Sequence, residues 1–206
     1  MHSIDLRVYK QNMRAKARLR RSELSIEAKH LADEAIKSNV VRLRQYAKCH
    51  TVLIYVSISG EIDTEGIIRR CLADGKRVAV PRCVTGTREM VFHYITDLGQ
   101  LSPGAFGVPE PSEDMPRVDP REGEGMLMLL PALTADHFGY RLGYGKGYYD
   151  RYMSKFSGCS AVLCYDDDVV RRLTHGKYDV PSQVLVTDKY IRTIKNNGEA
   201  QRFGRE

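Results

Sequence analysis

The run Thr51 to Val56, TVLIYV, constrains this chain more than any other stretch, because it carries no charge and is rich in β-branched residues. A strand with one solvated face alternates, so an unbroken run marks a strand covered on both faces, as in a parallel sheet. The residues after it support that reading. Ser57 to Gly60 make a loop, Glu61, Asp63 and Thr64 lead into a helix predicted over Glu65 to Asp74, and Gly75 closes it. Ile67, Ile68, Cys71 and Leu72 fall on its inward face. Arg77 to Val80 then reads as a second short strand, stopped by Pro81. Strand, helix and strand form a βαβ unit with a right-handed crossover, so a ligand is expected beyond the strands' carboxyl ends, near Val56 to Glu61.

Elsewhere the pattern is coarser. Val8 to Arg21 contains good helix formers and neither Gly nor Pro, which predicts a basic helix. Lys10 and Arg14 are one turn apart on it, and like charges so placed repel unless an anion lies between them. Ser25 is placed as the N-cap of a second helix running to about Leu43. Met90 to Ile95 reads as a strand or edge strand, and Leu98 to Gly125, rich in Pro, Gly and acids, as a long surface excursion. Met126 to Leu130 is a buried strand ending at Pro131. Later come a strand at Ala161 to Tyr165, an acidic turn at Asp166 to Asp168, a short helix through Leu173 and a last strand at Val184 to Val186.

The densest chemistry lies in Gly139 to Tyr152, GYRLGYGKGYYDRY. Gly143, Gly145 and Gly147 alternate, which allows positive φ and close approach of the backbone to an anion. Lys146 lies inside the loop, Arg141 just before it, and Asp150 falls in the first turn of the next helix, within reach of a phosphate-bound magnesium ion. Tyr148, Tyr149, Tyr152, Met153 and Phe156 read as that helix's core face. The pattern is neither a dinucleotide fingerprint, since Tyr148 stands at the third glycine position, nor a P-loop, since Gly147 rather than a hydroxyl residue follows Lys146.

Composition bounds the alternatives. A chain of 206 residues with 42% hydrophobic residues supports one domain with a sizeable core. No apolar run approaches the roughly 20 residues of a membrane helix, and the first residues lack a signal peptide's apolar segment, so a cytoplasmic protein without a membrane partner is expected. Five scattered cysteines without C-x-x-C fit reduced thiols, and the six histidines form no metal-binding pair. A net charge of +6 fits an anionic small substrate or nucleic acid, but no aromatic-basic signature supports RNA binding.

Taken together, these segments resemble the 5-formyltetrahydrofolate cyclo-ligase family. The resemblance is carried by LLPALTADHFGYRLGYGKGYYDRY and, in order, by KQNMR at Lys10 to Arg14, YVSISGEIDTEGII around Glu61, GKRVAVPRC around Pro81, FGVPEP at Phe106 to Pro111 and YDVPSQVLVTD near the end. It runs from about Tyr9 to Asp188 and implies an α/β fold, a single three-layer domain over residues 1–191 with a largely parallel central sheet flanked by helices. Residues 192–206 lie outside it and read as a mobile basic tail. The implied activity is ATP- and magnesium-dependent closure of 5-formyltetrahydrofolate to 5,10-methenyltetrahydrofolate, by a protein expected to be a monomer.

By resemblance, Lys10, Arg14, Arg141, Leu142, Gly143, Tyr144, Gly145, Lys146, Gly147, Tyr148 and Tyr149 bind ATP, with Lys146 and Arg141 acting on the transferred phosphoryl. Val56, Glu61 and Tyr144 to Tyr148 face the folate, and Asp150 and Asp179 hold Mg2+. Gln183 stands where many relatives carry a second acid, Tyr144 stands at a position that varies among relatives, and Asp136 and His137 receive no role. The rival readings are an inactive folate- or nucleotide-binding relative and a basic nucleic-acid-binding protein.

Overall fold

The computed structural model describes residues 5–194. Three helices come first, α1 (Leu6–Glu23), α2 (Ile26–Val41) and α3 (Arg44–Lys48). β1 (Thr51–Ile54) leads through α4 (Glu65–Ala73) to β2 (Arg77–Cys83), and β3 (Met90–Ile95) returns beside it. The excursion carries a small hairpin, β4 (Ser102–Pro103) with β5 (Pro109–Glu110). After it come β6 (Met126–Pro131), β7 (Thr134–Asp136), β8 (Arg141–Leu142), α5 (Tyr148–Met153), β9 (Cys159–Leu163), β10 (Val169–Val170), β11 (Val184–Val186) and β12 (Ile191–Thr193).

The central sheet runs β12-β11-β9-β6-β1-β2-β3. Its inner pairs are all parallel, and the two edge strands, β3 and β12, are antiparallel. Adjacent rows of the sheet face opposite ways, which is why unbroken apolar runs are needed. Val52, Val78 and Leu127 stand in register and pack with Ile36 and Val40 of α2 and Ile67, Ile68 and Cys71 of α4. The next row, Leu53, Ala79 and Met128, packs on the other side with Phe92 and with Tyr152 and Met153 of α5. Helices therefore cover both faces of a mostly parallel sheet, the expected fold class.

The helices begin where their caps allow. Asp5 accepts from the Arg7 amide at 2.8 Å, which starts α1 two residues before the predicted Val8, and the Ser25 hydroxyl accepts from the Ala28 amide at 3.1 Å to start α2. α2 ends at Val41, and the short α3 was not anticipated. Two further expectations are overturned. β2 does not stop at Pro81 but continues to Cys83. The Arg77 amide bonds back to His50 on the β1 side, so Pro81, four residues on, turns its missing donor to the same side. There β1 has already stopped pairing, after Leu53 with Ala79, so no bond is lost. The helix expected through Leu173 is absent as well. Asp166–Asp168 forms a single 3-10 turn, β10 pairs with β7 in a second sheet ordered β10-β7-β8, and the Leu173 amide is drawn to Asp136 Oδ2 at 2.8 Å. The edge strand β12 was missed, and most of the C-terminal tail lies outside the described residues.

α1 stands apart from both core layers. Ala17 is its one buried residue. Its remaining anchorage is polar, with Arg21 paired to Asp168 at 3.0 Å and donating to the carbonyls of Ala132 at 2.7 Å and Gly60 at 3.2 Å. Arg20 also pairs with Asp168, at 2.7 Å.

All five cysteines are unbonded thiols. No helix among the described residues is long and apolar enough to cross a membrane.

Candidate active site

Beyond the carboxyl ends of β1 and β6 a cleft of about 640 Å³ opens, as the parallel sheet leads one to expect. Every residue singled out for the site lines it: Lys10 and Arg14 from α1, Val56 and Glu61 after β1, the unbroken stretch from Arg141 to Asp150, and Asp179.

On the glycine side the charges are interlocked. Lys10 Nζ lies 2.5 Å from Asp179 Oδ2, which also accepts the Gly176 amide at 2.8 Å. Arg14 Nε donates to the Gly143 carbonyl at 2.7 Å. The repulsion expected between Lys10 and Arg14 is thus met by a carboxylate and a carbonyl of the protein itself. Burial opposes ionisation of Asp179, but the Lys10 ammonium and the Gly176 amide together hold the carboxyl below its usual range. Arg141 is almost wholly buried and donates to Asp150 Oδ1 at 3.1 Å and to the Val180 carbonyl at 3.0 Å. Burial lowers its pKa against the pull of Asp150.

The loop glycines are not equivalent. Gly145 has φ +92°, and a β-carbon there would lie 3.1 Å from Arg14 Nη2. Gly147 has φ +74°, and a β-carbon there would lie 3.1 Å from Arg151 Nη1. Both conditions call for glycine. Gly143 is not among the glycines of positive φ and has open space beside it, so the expected conformational demand falls on the other two. Lys146 lies between them on the cleft wall.

The opposite side is built around Glu61, which is 8% exposed. Its Oε2 accepts the Ile58 amide at 3.0 Å, and Tyr144 lines the cleft with it. Burial pushes the carboxyl above its usual range, against the Ile58 amide, the nearby Tyr144 hydroxyl and the Arg21 charge. Burial and the facing carboxylate push the Tyr144 hydroxyl up to about 12. Of the residues assigned to the core face of α5, Tyr152 and Met153 are buried, whereas Tyr148 and Tyr149 are half-buried and line the cleft. Phe156 lies past the end of α5 but packs on the same layer.

Sequence reasoning missed Arg18, Cys83 and Glu110. Arg18 had a signal, standing one turn beyond Arg14 on the same helix face. Glu110 had none within its acidic excursion; it is buried, and its Oε1 accepts the Cys83 amide at 3.1 Å, fastening the hairpin to the end of β2. Asp136 receives a structural role, accepting the amides of Phe138 at 2.9 Å, Tyr140 at 3.0 Å and Leu173 at 2.8 Å. Gln183 is outside the cleft lining, and its Oε1 accepts the Ser160 amide at 2.7 Å and hydroxyl at 2.6 Å.

Among the described residues no three His, Cys, Asp or Glu side chains gather as a metal site of their own. The donor set nonetheless fits a magnesium ion carried largely by phosphates, which needs only one or two protein carboxylates. Asp150 and Asp179 each use one oxygen for protein donors and leave the other, Oδ2 and Oδ1 respectively, without one among the described residues.

The sequence model of the 5-formyltetrahydrofolate cyclo-ligase family matches residues 7–188. The chain belongs to that family. It is 31% identical to the 5,10-methenyltetrahydrofolate synthetase of Aquifex aeolicus, whose NMR structure superposes with a TM-score of 0.78 over 96% of this chain and 95% of that one. It is 28% identical over 191 residues to a probable 5-formyltetrahydrofolate cyclo-ligase of Schizosaccharomyces pombe, covering 84% of this chain and 94% of the relative. It is 27% identical over 177 residues to the 5-formyltetrahydrofolate cyclo-ligase of Haemophilus influenzae, again covering 84% of this chain and 94% of the relative. The matched span of this cyclo-ligase family member includes every residue that lines the cleft.

Proposed function

We propose that this chain closes 5-formyltetrahydrofolate to 5,10-methenyltetrahydrofolate, coupled to conversion of ATP to ADP and phosphate. The observation that carries the reading is the convergence of Lys10, Arg14, Arg141 and Lys146 with a two-glycine turn on one side of a cleft whose other side presents a buried carboxylate. A polyanion suits the first side, and a donor-rich heterocycle suits Glu61.

The chemistry asks for such a division. A formamide oxygen leaves poorly, so it attacks the γ-phosphorus, the bond to the ADP oxygen breaks, and the formyl oxygen carries the phosphoryl as an iminium phosphate. N10 then attacks the formyl carbon and loses its proton to solvent, phosphate departs with the C–O electron pair, and the ring closes. Phosphoryl transfer of this kind depends on positioning and charge neutralisation rather than on a protein nucleophile. Lys146 and Arg141 neutralise the oxygens of the transferred group, Lys10 and Arg14 hold the remaining phosphates, and the amides of the Gly143–Tyr149 loop orient them. Glu61, with Val56 beside it, accepts hydrogen bonds from the pterin ring. Asp150 and Asp179 hold magnesium, which when bound neutralises phosphate charge.

The test is a mixture of the purified protein, 5-formyltetrahydrofolate and MgATP, followed by the near-ultraviolet absorbance of the methenyl product, with ATP-free and magnesium-free controls. Product that requires both is expected. Binding of both ligands without product identifies an inactive relative.

A further inference from the structure

α1 sends three cations into the cleft at successive turns, Lys10, Arg14 and Arg18. Like charges four residues apart on a helix repel unless an anion separates them. Two of the three have acceptors within the protein, since Lys10 holds Asp179 and Arg14 holds the Gly143 carbonyl. Arg18 has neither a carboxylate nor a carbonyl in hydrogen-bond contact among the described residues; what it touches is the Tyr144 ring, whose centroid lies 5.6 Å from the guanidinium carbon. Such a contact steadies a guanidinium without spending its N–H donors. The charge is felt next door, where burial and then the Arg18 charge lower the pKa of Arg14 against the pull of Asp179. Arg18 is also exposed, so a ligand in the cleft can reach it.

Its place in the cleft is as particular as its lack of an acceptor. A second cavity, of about 670 Å³, adjoins the cleft and shares Arg18, Ile58, Glu61 and Tyr144 with it. Lys10, Arg14, Lys146 and Asp179 line the cleft alone. The shared residues thus mark where the glycine side gives way to the Glu61 side. Tyr144 comes from the glycine loop, Ile58 and Glu61 from the turn after β1, and Arg18 stands over Tyr144 from α1. With nucleotide phosphates on one side and the pterin on the other, the group handed between them crosses at this boundary.

We propose that Arg18 is a further catalytic residue, the guanidinium that grips the phosphoryl group as it passes from ATP to the formyl oxygen and again as it leaves as phosphate, an assignment that rests on reading the two sides as nucleotide and folate sites. In the transfer, the bond from the γ-phosphorus to the ADP oxygen breaks while the bond to the formyl oxygen forms, and negative charge is spread over the equatorial oxygens. The planar fork of an arginine meets a pair of such oxygens at once, and no proton moves, because a guanidinium stays protonated. In the second step the C–O bond breaks and its electron pair leaves with phosphate, which adds charge to the same group beside the same cation. Arg141, by contrast, already spends donors on Asp150 and the Val180 carbonyl. Arg18 breaks no ion pair to engage, so its full donor set can be aimed at the charge that develops.

The test measures turnover of 5-formyltetrahydrofolate with MgATP in wild type, Arg18→Gln, Arg18→Lys and Lys16→Gln, the last removing an exposed α1 cation that lines neither cavity. Arg18→Gln is expected to lower kcat on the order of 10²- to 10³-fold with KM for ATP little changed, the pattern of a group that acts in the transition state rather than on bound nucleotide. Arg18→Lys should recover part of the loss by supplying charge without the fork, and Lys16→Gln should turn over as wild type does. The thermal midpoint of Arg18→Gln should match or exceed that of wild type, because a repulsion with Arg14 is relieved. A kcat near wild type in Arg18→Gln, a loss confined to KM for ATP, an equal loss in Lys16→Gln, or a fallen midpoint overturns the assignment. A wild type that forms no methenyl product overturns the substrate reading instead, and Arg18 is then judged by the binding of inorganic phosphate in the presence of MgADP. Weaker binding in Arg18→Gln than in Lys16→Gln upholds its grip on the phosphoryl position, and equal binding overturns it.

Discussion

The two sides of the cleft handle charge in opposite ways. On the glycine side, Lys10, Arg14 and Arg141 each hold a carboxylate or carbonyl of the protein, so their charges are already compensated. On the Glu61 side, among the described residues, a buried carboxylate accepts only the uncharged Ile58 amide. The first arrangement keeps a cluster of cations tolerable before a polyanion arrives. The second leaves an acceptor under-satisfied, at a cost in stability that ligand binding can recover.

The largest test of this contrast removes the loop cation. Lys146→Ala is expected to lower kcat by on the order of 10³-fold with the thermal midpoint unchanged, as for loss of a charge that acts on a transferring phosphoryl. A fully active variant would break the assignment of that side. Glu61→Gln should next raise KM for 5-formyltetrahydrofolate by roughly 10- to 100-fold, the worth of a charge-assisted hydrogen bond, while KM for ATP stays near wild type. A parallel rise in both would show that the two sides are not separate. The metal assignment divides more finely. Asp150→Asn is expected to raise the magnesium needed for half-maximal turnover about tenfold. An equal shift for Asp179→Asn marks a two-carboxylate site, and an unchanged requirement reduces Asp179 to the holder of Lys10.

The smallest effect is on stability, and its sign differs between the sides. Glu61 has a raised folded-state pKa, so the folded protein loses stability as pH rises from about 4 through that value. Glu61→Gln should therefore raise the thermal midpoint at pH 8, by about 2–4 °C for each kcal/mol recovered, and leave it unmoved at pH 4. Asp179 has a depressed pKa, so its contribution is full above about pH 4 and is lost as pH falls further. Calorimetry of wild type and Glu61→Gln at these two pH values, and of wild type and Asp179→Asn at pH 8 and at about pH 2, checks the pair.

The sequence carried the layers and the cleft well, because both depend on local patterns. TVLIYV and MLMLL announce buried parallel strands, and the alternating glycines announce a tight turn at their open ends. What it could not carry is set by distant partners. Pro81 ends a strand by local rules, but here β1 stops first and its missing donor costs nothing. Leu173 sits in a helix-like stretch whose amide is claimed by Asp136, far back in the chain. Glu110 enters the cleft because it is tied to the end of β2, a contact no spacing reveals.

The polar anchorage of α1 has a consequence for how the molecule breathes. A helix that buries Ala17 alone and otherwise grips through arginines and a lysine has little apolar surface to lose on opening. Its amides are expected to exchange with solvent deuterium well before those of α2 and α4, and faster as salt is raised. Two of the residues assigned to nucleotide phosphates, Lys10 and Arg14, ride on this element. Occupancy of the cleft should then appear as slowed exchange along α1, so that a helix held by polar contacts reports on the site's chemistry.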